Sequence, residues 1–200
     1  MISRNAERLS QLSSDILDVT TIEGNSLELQ KEQLNLNEVV LNTVEKYKKQ
    51  ITRANIDIKL LFEPYEEIIL VEADRARIAQ VISNLLSNAI KFTRSEGGMV
   101  TVQVHKKDYH EDIINTGAIV TVNDTGSGID PDIMPRLFEK FASKSFQGTG
   151  LGLFISKKII DAHGGKIWGQ NNISDGKGAT FYFTLPTVSN QSNRMAEAKR

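Results

Sequence analysis

Apolar residues open the chain at heptad spacing. Ile2, Leu9 and Ile16 recur every seven residues, and so do Asn5, Leu12 and Val19. That is an a/d seam with one polar member, the pattern of a helix packed in a bundle or coiled coil. A helix is predicted over residues 2–22, closed by Gly24-Asn25. Three heptads alone are marginal, so the seam requires partner helices, and the residues that follow supply none. Residues 27–31 alternate briefly like a strand. Asn35 and Glu38 have the spacing of a capping box, with Asn35 as N-cap. In the helix that follows, to about Arg53, Val40, Val44, Tyr47 and Ile51 share one face. Strands are predicted at 56–62 and 68–72 around a turn at 64–67.

Asp74 is a good N-cap for a helix ending near Phe92. Ile78, Val81, Ile82, Leu85 and Ala89 form its apolar stripe, and Asn84, Asn88 and Lys91 fall on a second common face. Taken alone, those three polar residues read as a solvated face. Residues 100–104 and 119–122 read as paired strands, with a polar hairpin loop at 106–112. A short helix is expected at 131–141, where Pro131 suits a first turn. Helix returns over 151–162 and ends at Gly164-Gly165; final strands follow at 166–169 and 179–185. Residues 189–200 are polar and read as a disordered tail. The order is α+β: a lone bundle helix, then helices buried on one face of a sheet. Three segments result: residues 1–24, 25–187 and 188–200.

Composition narrows the classes. A hydrophobic fraction of 40% in 200 residues supports a real core. A net charge of −1 predicts no nucleic-acid surface, and the absence of cysteine excludes disulfides and thiolate metal sites. No apolar run reaches membrane-spanning length, and no signal-peptide core opens the chain. The expectation is a cytoplasmic protein.

The candidate chemistry lies in two glycine-rich stretches, Asp124-Thr-Gly126-Ser-Gly128-Ile129 and Gly148-Thr149-Gly150-Leu151-Gly152-Leu153. Glycines let backbone N–H groups approach a bulky anion. Asp124 adds a fixed acceptor. Upstream, Asn88 offers a carbonyl oxygen suited to Mg²⁺, and Lys91 a point charge for phosphate. The second stretch precedes a helix, whose N-terminus favours anions. It lacks Gly-Lys-Ser/Thr and follows no strand, so it is neither a Walker nor a Rossmann fingerprint. A nucleotide site is implied.

From about Asn35 to Pro186 the chain resembles the ATP-binding catalytic domain of sensor histidine kinases, in the gyrase, heat-shock-chaperone, kinase and MutL superfamily. The resemblance rests on five motifs in order. They are Asn84-Leu-Leu-Ser-Asn88-Ala-Ile-Lys91-Phe92, the Asp124 glycine box, Leu137-Phe138-Glu-Lys-Phe141, the second glycine box, and Gly178-Ala-Thr180-Phe. It implies a two-layer α/β sandwich of the Bergerat type, with a mixed sheet of about five strands. It implies ATP and Mg²⁺, with γ-phosphoryl transfer to a histidine. Asp124 would accept from the adenine amine, with Thr180 supporting it through water. Asn88 would hold the metal, assisted by Asn84. Lys91 would contact phosphate, and Phe92 would border the base or ribose. Gly126, Gly128 and Ile129 would flank the nucleotide. Gly148, Thr149, Gly150, Leu151 and Gly152 would cradle phosphates. The Phe138/Phe141 segment would form a lid over residues 130–147. Residues 2–22 resemble the second helix of the dimerisation and phosphotransfer bundle. The partners implied are a histidine-bearing bundle helix, a response regulator receiver domain and, in a fuller protein, a second copy.

Two departures stand out. The helix carrying the phosphoacceptor His is not in this sequence. The Arg that many members place after the second Phe is also missing; Phe141 is followed by Ala-Ser-Lys144, and a lysine cannot reproduce a bidentate guanidinium. These favour a second reading, a nucleotide-binding regulatory module without kinase activity. A gyrase- or MutL-type ATPase needs an acid a few residues before Asn88, and Gln80-Val-Ile-Ser-Asn84 has none. An anti-sigma serine kinase is disfavoured by the Phe138/Phe141 motif. His163, at a helix end, reads as a cationic structural cap. His105 and His110 have no ligand partners at useful spacing. Trp168 reads as packing, and Lys140, Lys157 and Lys158 as solvated.

Overall fold

The computed structural model describes residues 2–24, 27–93, 97–107, 117–142, 149–172 and 177–188. Helix α1 spans Ile2–Glu23, as the heptads predict. Among its described side chains, Val19 and Ile22 pack on the remainder of the chain, while Leu9, Ile16 and Leu17 are exposed. The first strand, β1 (Glu32–Asn35), lies beyond the alternating residues 27–31, which are not strand. It pairs antiparallel with β3 (Leu70–Ala73) in a two-stranded sheet of its own. The pairing partner decided its position: Leu34 and Val71 meet in register and are both buried.

Helix α2 (Leu36–Arg53) starts at Asn35, whose side chain accepts from Asn37 N–H. Glu38 meets the Asn35 amide at 3.5 Å rather than its backbone, so the cap is one-sided. Strand β2 (Ile58–Glu63) follows. Helix α3 (Arg75–Thr93) is capped by Asp74, which accepts from Arg77 N–H at 3.1 Å. Strands β4 (Gly98–Lys107) and β5 (Gly117–Asp124) form the predicted hairpin. Helix α4 (Gly152–Ala162) leads to β6 (Ile167–Asn171) and β7 (Ala179–Pro186).

The main sheet runs β2-β4-β5-β7-β6, with β2 parallel to β4 and every other pair antiparallel. It is the expected mixed five-stranded sheet. Its inward residues are Val100, Val102, Val104, Val120, Val122, Phe181 and Phe183, buried beneath α2, α3 and α4. The outward residues are mostly polar, among them Gln103, Thr121, Asn123, Thr180 and Tyr182. Strand parity therefore divides the sheet into a covered face and an open one. Trp168 lies on the open face, stacked on Tyr182 at 5.0 Å.

The expected helix at 131–141 is only a 3₁₀ turn, Met134–Arg136, and Pro135 rather than Pro131 stands in it. Asp130 turns the chain before it, accepting from Asp132 N–H with its side chain. That bond has the form of an N-cap, like that of Asn35 for α2, but only the short turn follows it. The tail from residue 189 and His110 lie outside the described residues.

Candidate nucleotide site

Strand β5 ends in Asp124 on the covered face, 3% exposed. Its Oδ1 accepts from Gly126 N–H at 2.9 Å and Ala179 N–H at 3.3 Å. Burial pushes its pKa up, against those two bonds. Its other oxygen accepts from no described residue. Gly126 lies against the end of α3, where a Cβ would come within 2.6 Å of the Phe92 carbonyl oxygen. Only glycine lets the loop touch that helix end. Gly178 has φ +83°, and a Cβ there would overlap the Asp124 carbonyl. The two glycines hold Asp124 between α3 and β7.

Of Asn84, Asn88 and Lys91, Asn84 is tied into the fold. Asn84 Nδ2 donates to the Gly152 carbonyl at 3.1 Å and to Ser156 Oγ at 3.3 Å, which ties α3 to the start of α4. Asn88, one turn further on, is half-buried, and its amide bonds to no described residue. Lys91 Nζ lies 4.9 Å above the Phe92 ring, and Phe92 is 40% exposed. Among the described residues no three His, Asp or Glu side chains cluster to hold a metal unaided. Asn88 suits Mg²⁺ as one protein oxygen among phosphate oxygens.

The second glycine box meets α1. Thr149 Oγ1 donates to Asp15 Oδ2 at 2.8 Å and accepts from Leu151 N–H at 3.2 Å. Asp18 pairs with Arg77 at 2.7 Å and accepts from Gln80 Nε2, also at 2.7 Å. Glu23 pairs with Lys140, which is therefore not merely solvated. Phe138 packs partly against the core, whereas Phe141 is 70% exposed with φ +60°. Phe141 N–H donates to the Gly150 carbonyl at 3.0 Å, closing a neck across the two motifs. Gly148 and Lys144 lie outside the described residues.

One expectation is corrected. Thr180 does not face Asp124. It pairs in register with Asn123 on the open side of the sheet, bonding Asn123 Nδ2 at 2.6 Å and Asn172 Oδ1 at 2.7 Å. Ala179, one residue earlier, occupies Asp124's side. Alternation along β7, whose apolar residues Phe181 and Phe183 are buried, would have decided this from sequence.

Two residues that brace the Asp124–Ile129 loop escaped sequence reading. Asn171 Oδ1 accepts from Ile129 N–H at 2.6 Å and its Nδ2 donates to the Ile129 carbonyl at 3.0 Å. Asn172 Nδ2 donates to the Asp124 carbonyl at 2.9 Å. Their only sequence signal is an Asn pair leaving a strand, which reads as an ordinary turn.

Residues 73–189 match the family model described as "Histidine kinase-, DNA gyrase B-, and HSP90-like ATPase". The chain belongs to that family. Within the family it is built as the ATP-binding catalytic domain of a histidine kinase. A curated relative, the non-motile and phage-resistance protein of Caulobacter vibrioides, is 36% identical over 92% of this chain and 22% of its own length. The curated relatives considered are longer, and the chain spans between 9% and 38% of them. The crystal structure of full-length ShkA in complex with AMPPNP superposes with TM-score 0.76 at 25% identity, over 93% of this chain and 37% of that one. Histidine kinase ThkA, in complex with response regulator protein TrrA, superposes with TM-score 0.67 at 33% identity, over 92% of this chain and 50% of that one. No described helix of this ATPase-family chain is long and apolar enough to cross a membrane.

Proposed function

We propose that the chain is the Mg-ATP-binding catalytic part of a two-component sensor histidine kinase. It moves the γ-phosphoryl group of ATP to a histidine nitrogen on a bundle helix outside this sequence, with α1 as that bundle's second helix. One observation carries the reading: the buried Asp124 carboxylate has one oxygen fixed by backbone N–H groups and the other open. That open oxygen suits the exocyclic amine of adenine and not the carbonyl that guanine carries at the same edge.

The remaining groups supply position and charge. Asn84 holds α4 and its glycine box against α3. Asn88 presents an oxygen for Mg²⁺, which would neutralise phosphate charge. Lys91 offers a cation at the same helix face. Catalysis of this kind rests on positioning and electrostatics, with no covalent role for the protein. Ligand donors beyond Asn88, and a lid cation at Lys144, belong to the same proposal.

The exposed Leu9, Ile16 and Leu17 of α1 are a docking face for the histidine-bearing helix and, in a fuller protein, a second copy. A response regulator receiver domain is the proposed recipient of the phosphoryl group, as the TrrA complex of the related ThkA suggests. The cytoplasm is the proposed location.

None of the three histidines lies on α1, so the chain alone should not label itself. A separate fragment bearing the acceptor helix, mixed with the chain and Mg-ATP, should gain acid-labile phosphate. The rate should be slow because effective concentration is lost. Labelling of His105, His110 or His163 would overturn the reading. ATP binding with no labelling of either partner would favour the regulatory module.

A further inference from the structure

The loop from Asp124 to Ile129 carries the base-recognising carboxylate, yet two of its residues are glycine. Glycine loses more conformational freedom on ordering than any other residue. Such a loop needs restraint from outside itself. The two asparagines that close β6 provide it at both ends.

Asn171 meets Ile129 as a strand would. Its amide accepts from Ile129 N–H and donates to the Ile129 carbonyl. A carboxylate could accept but not donate, and a hydroxyl is too small to span both. Asn172 meets the other end. Its Nδ2 donates to the carbonyls of Asp124, at 2.9 Å, and Lys177, at 3.2 Å. Its Oδ1 accepts from Asn123 Nδ2, at 3.1 Å, and Thr180 Oγ1, at 2.7 Å. Its backbone N–H donates to the Gly178 carbonyl at 3.1 Å. Every donor and acceptor of this amide is used, so its orientation is over-determined.

We propose that Asn171 and Asn172 are positioning residues for base recognition: they clamp Ile129 and the Asp124 backbone so that the Asp124 carboxylate meets adenine in one geometry. The proposal rests on the nucleotide reading above. It also gives Thr180 a place. Thr180 acts at second hand from the open face, by fixing Asn172.

The test compares two probes on the whole chain: ATP, which uses the base loop, and inorganic tripolyphosphate, which engages only the phosphate half. Asn171→Ala and Asn172→Ala should each weaken ATP about tenfold, from the loss of the two bonds to Ile129 in one and the bond to the Asp124 carbonyl in the other. Tripolyphosphate affinity should not change. Asn172→Asp keeps the acceptors for Asn123 and Thr180, removes the donors to the loop and sets a negative charge against the Asp124 and Lys177 carbonyls. It should reproduce the ATP loss, and it serves if an alanine variant does not fold. Unchanged ATP affinity in these folded variants would overturn the proposal. So would a parallel loss of both probes, which marks a merely structural role. An unaltered chain that binds tripolyphosphate but not ATP would instead defeat the adenine reading, and this inference with it.

Discussion

Thr149 Oγ1 donates to Asp15 Oδ2 at 2.8 Å, which joins the second glycine box to α1. Asp15 is buried, and it puts negative charge beside a loop proposed to receive phosphates. Asp15→Asn keeps an acceptor for Thr149 and removes the charge. ATP affinity should rise roughly fivefold, about 1 kcal/mol for charges separated near a surface. The gain should shrink at high salt. Calorimetry at two ionic strengths checks both; a loss of affinity would mean that α1 supports the loop.

Asp124→Asn separates stability from binding. Burial raises the pKa of Asp124, so the folded protein takes up its proton more readily than the unfolded chain. Ionised Asp124 therefore weakens the nucleotide-free fold increasingly as pH rises from the unfolded value, 3.8, through the folded one. Asparagine still accepts from Gly126 and Ala179. The variant should match wild type in acid and exceed it at neutral pH, by denaturant titration. It should bind ATP ten- to a hundredfold more weakly, about 1.5–3 kcal/mol.

His163 predicts the opposite pH dependence. It is a structural group, but not the cationic cap its position suggested. Nε2 accepts from Asp74 N–H at 3.0 Å and Nδ1 donates to the Ile159 carbonyl at 2.7 Å, so the ring is neutral. Burial lowers its pKa, with Lys31 adding to the effect and Asp74 and the Ile159 bond opposing it. Its contribution is full above the unfolded value, 6.5, and is lost as pH falls through the lowered folded value. Wild type should lose stability over that window, while His163→Gln should be flatter. Equal slopes would contradict the assignment.

Asn88→Ala should remove metal dependence more than base recognition. The ratio of ATP affinity with Mg²⁺ to that with chelator should move toward one, with preference over GTP retained. A ratio as large as wild type's would mean that another group holds the metal.

Gly178→Ala should cost about 2 kcal/mol or more and also impair ATP binding, because its Cβ would overlap the Asp124 carbonyl at a positive φ. Gly117→Ala is the control; its Cβ would lie an ordinary 3.5 Å from the Leu185 carbonyl. Thermal melts of the pair should differ accordingly.

The elements with strong periodicity were legible. Helices α2, α3 and α4 and the β4–β5 hairpin stand near where the apolar pattern put them, because each buries the face its spacing defines. Local signals misled where tertiary pairing decides. Residues 27–31 alternate, yet β1 forms later because Leu34 has a buried partner in Val71. Pro131 suggested a helix where the chain forms only the turn Met134–Arg136. The candidate Asp124, Asn84 and glycine motifs do converge. Thr180 was misplaced by one residue, which on a strand is a change of face. Asn171 and Asn172 carry no periodicity, and their partners in the loop, Ile129 and Asp124, lie 42 and 48 residues away in sequence. Only the fold brings those groups together.

The bond from Phe141 N–H to the Gly150 carbonyl fixes the two ends of the chain between them against each other. A loop anchored at a neck can be extended at little entropic expense, about 0.6 kcal/mol for each doubling. Asp124 is held from other directions, by Gly126, Ala179 and Asn172. Insertions or exchanges between residues 141 and 150 can therefore be accommodated without moving that carboxylate. Evolution, or an engineer, can alter what arrives at this site separately from how Asp124 is held.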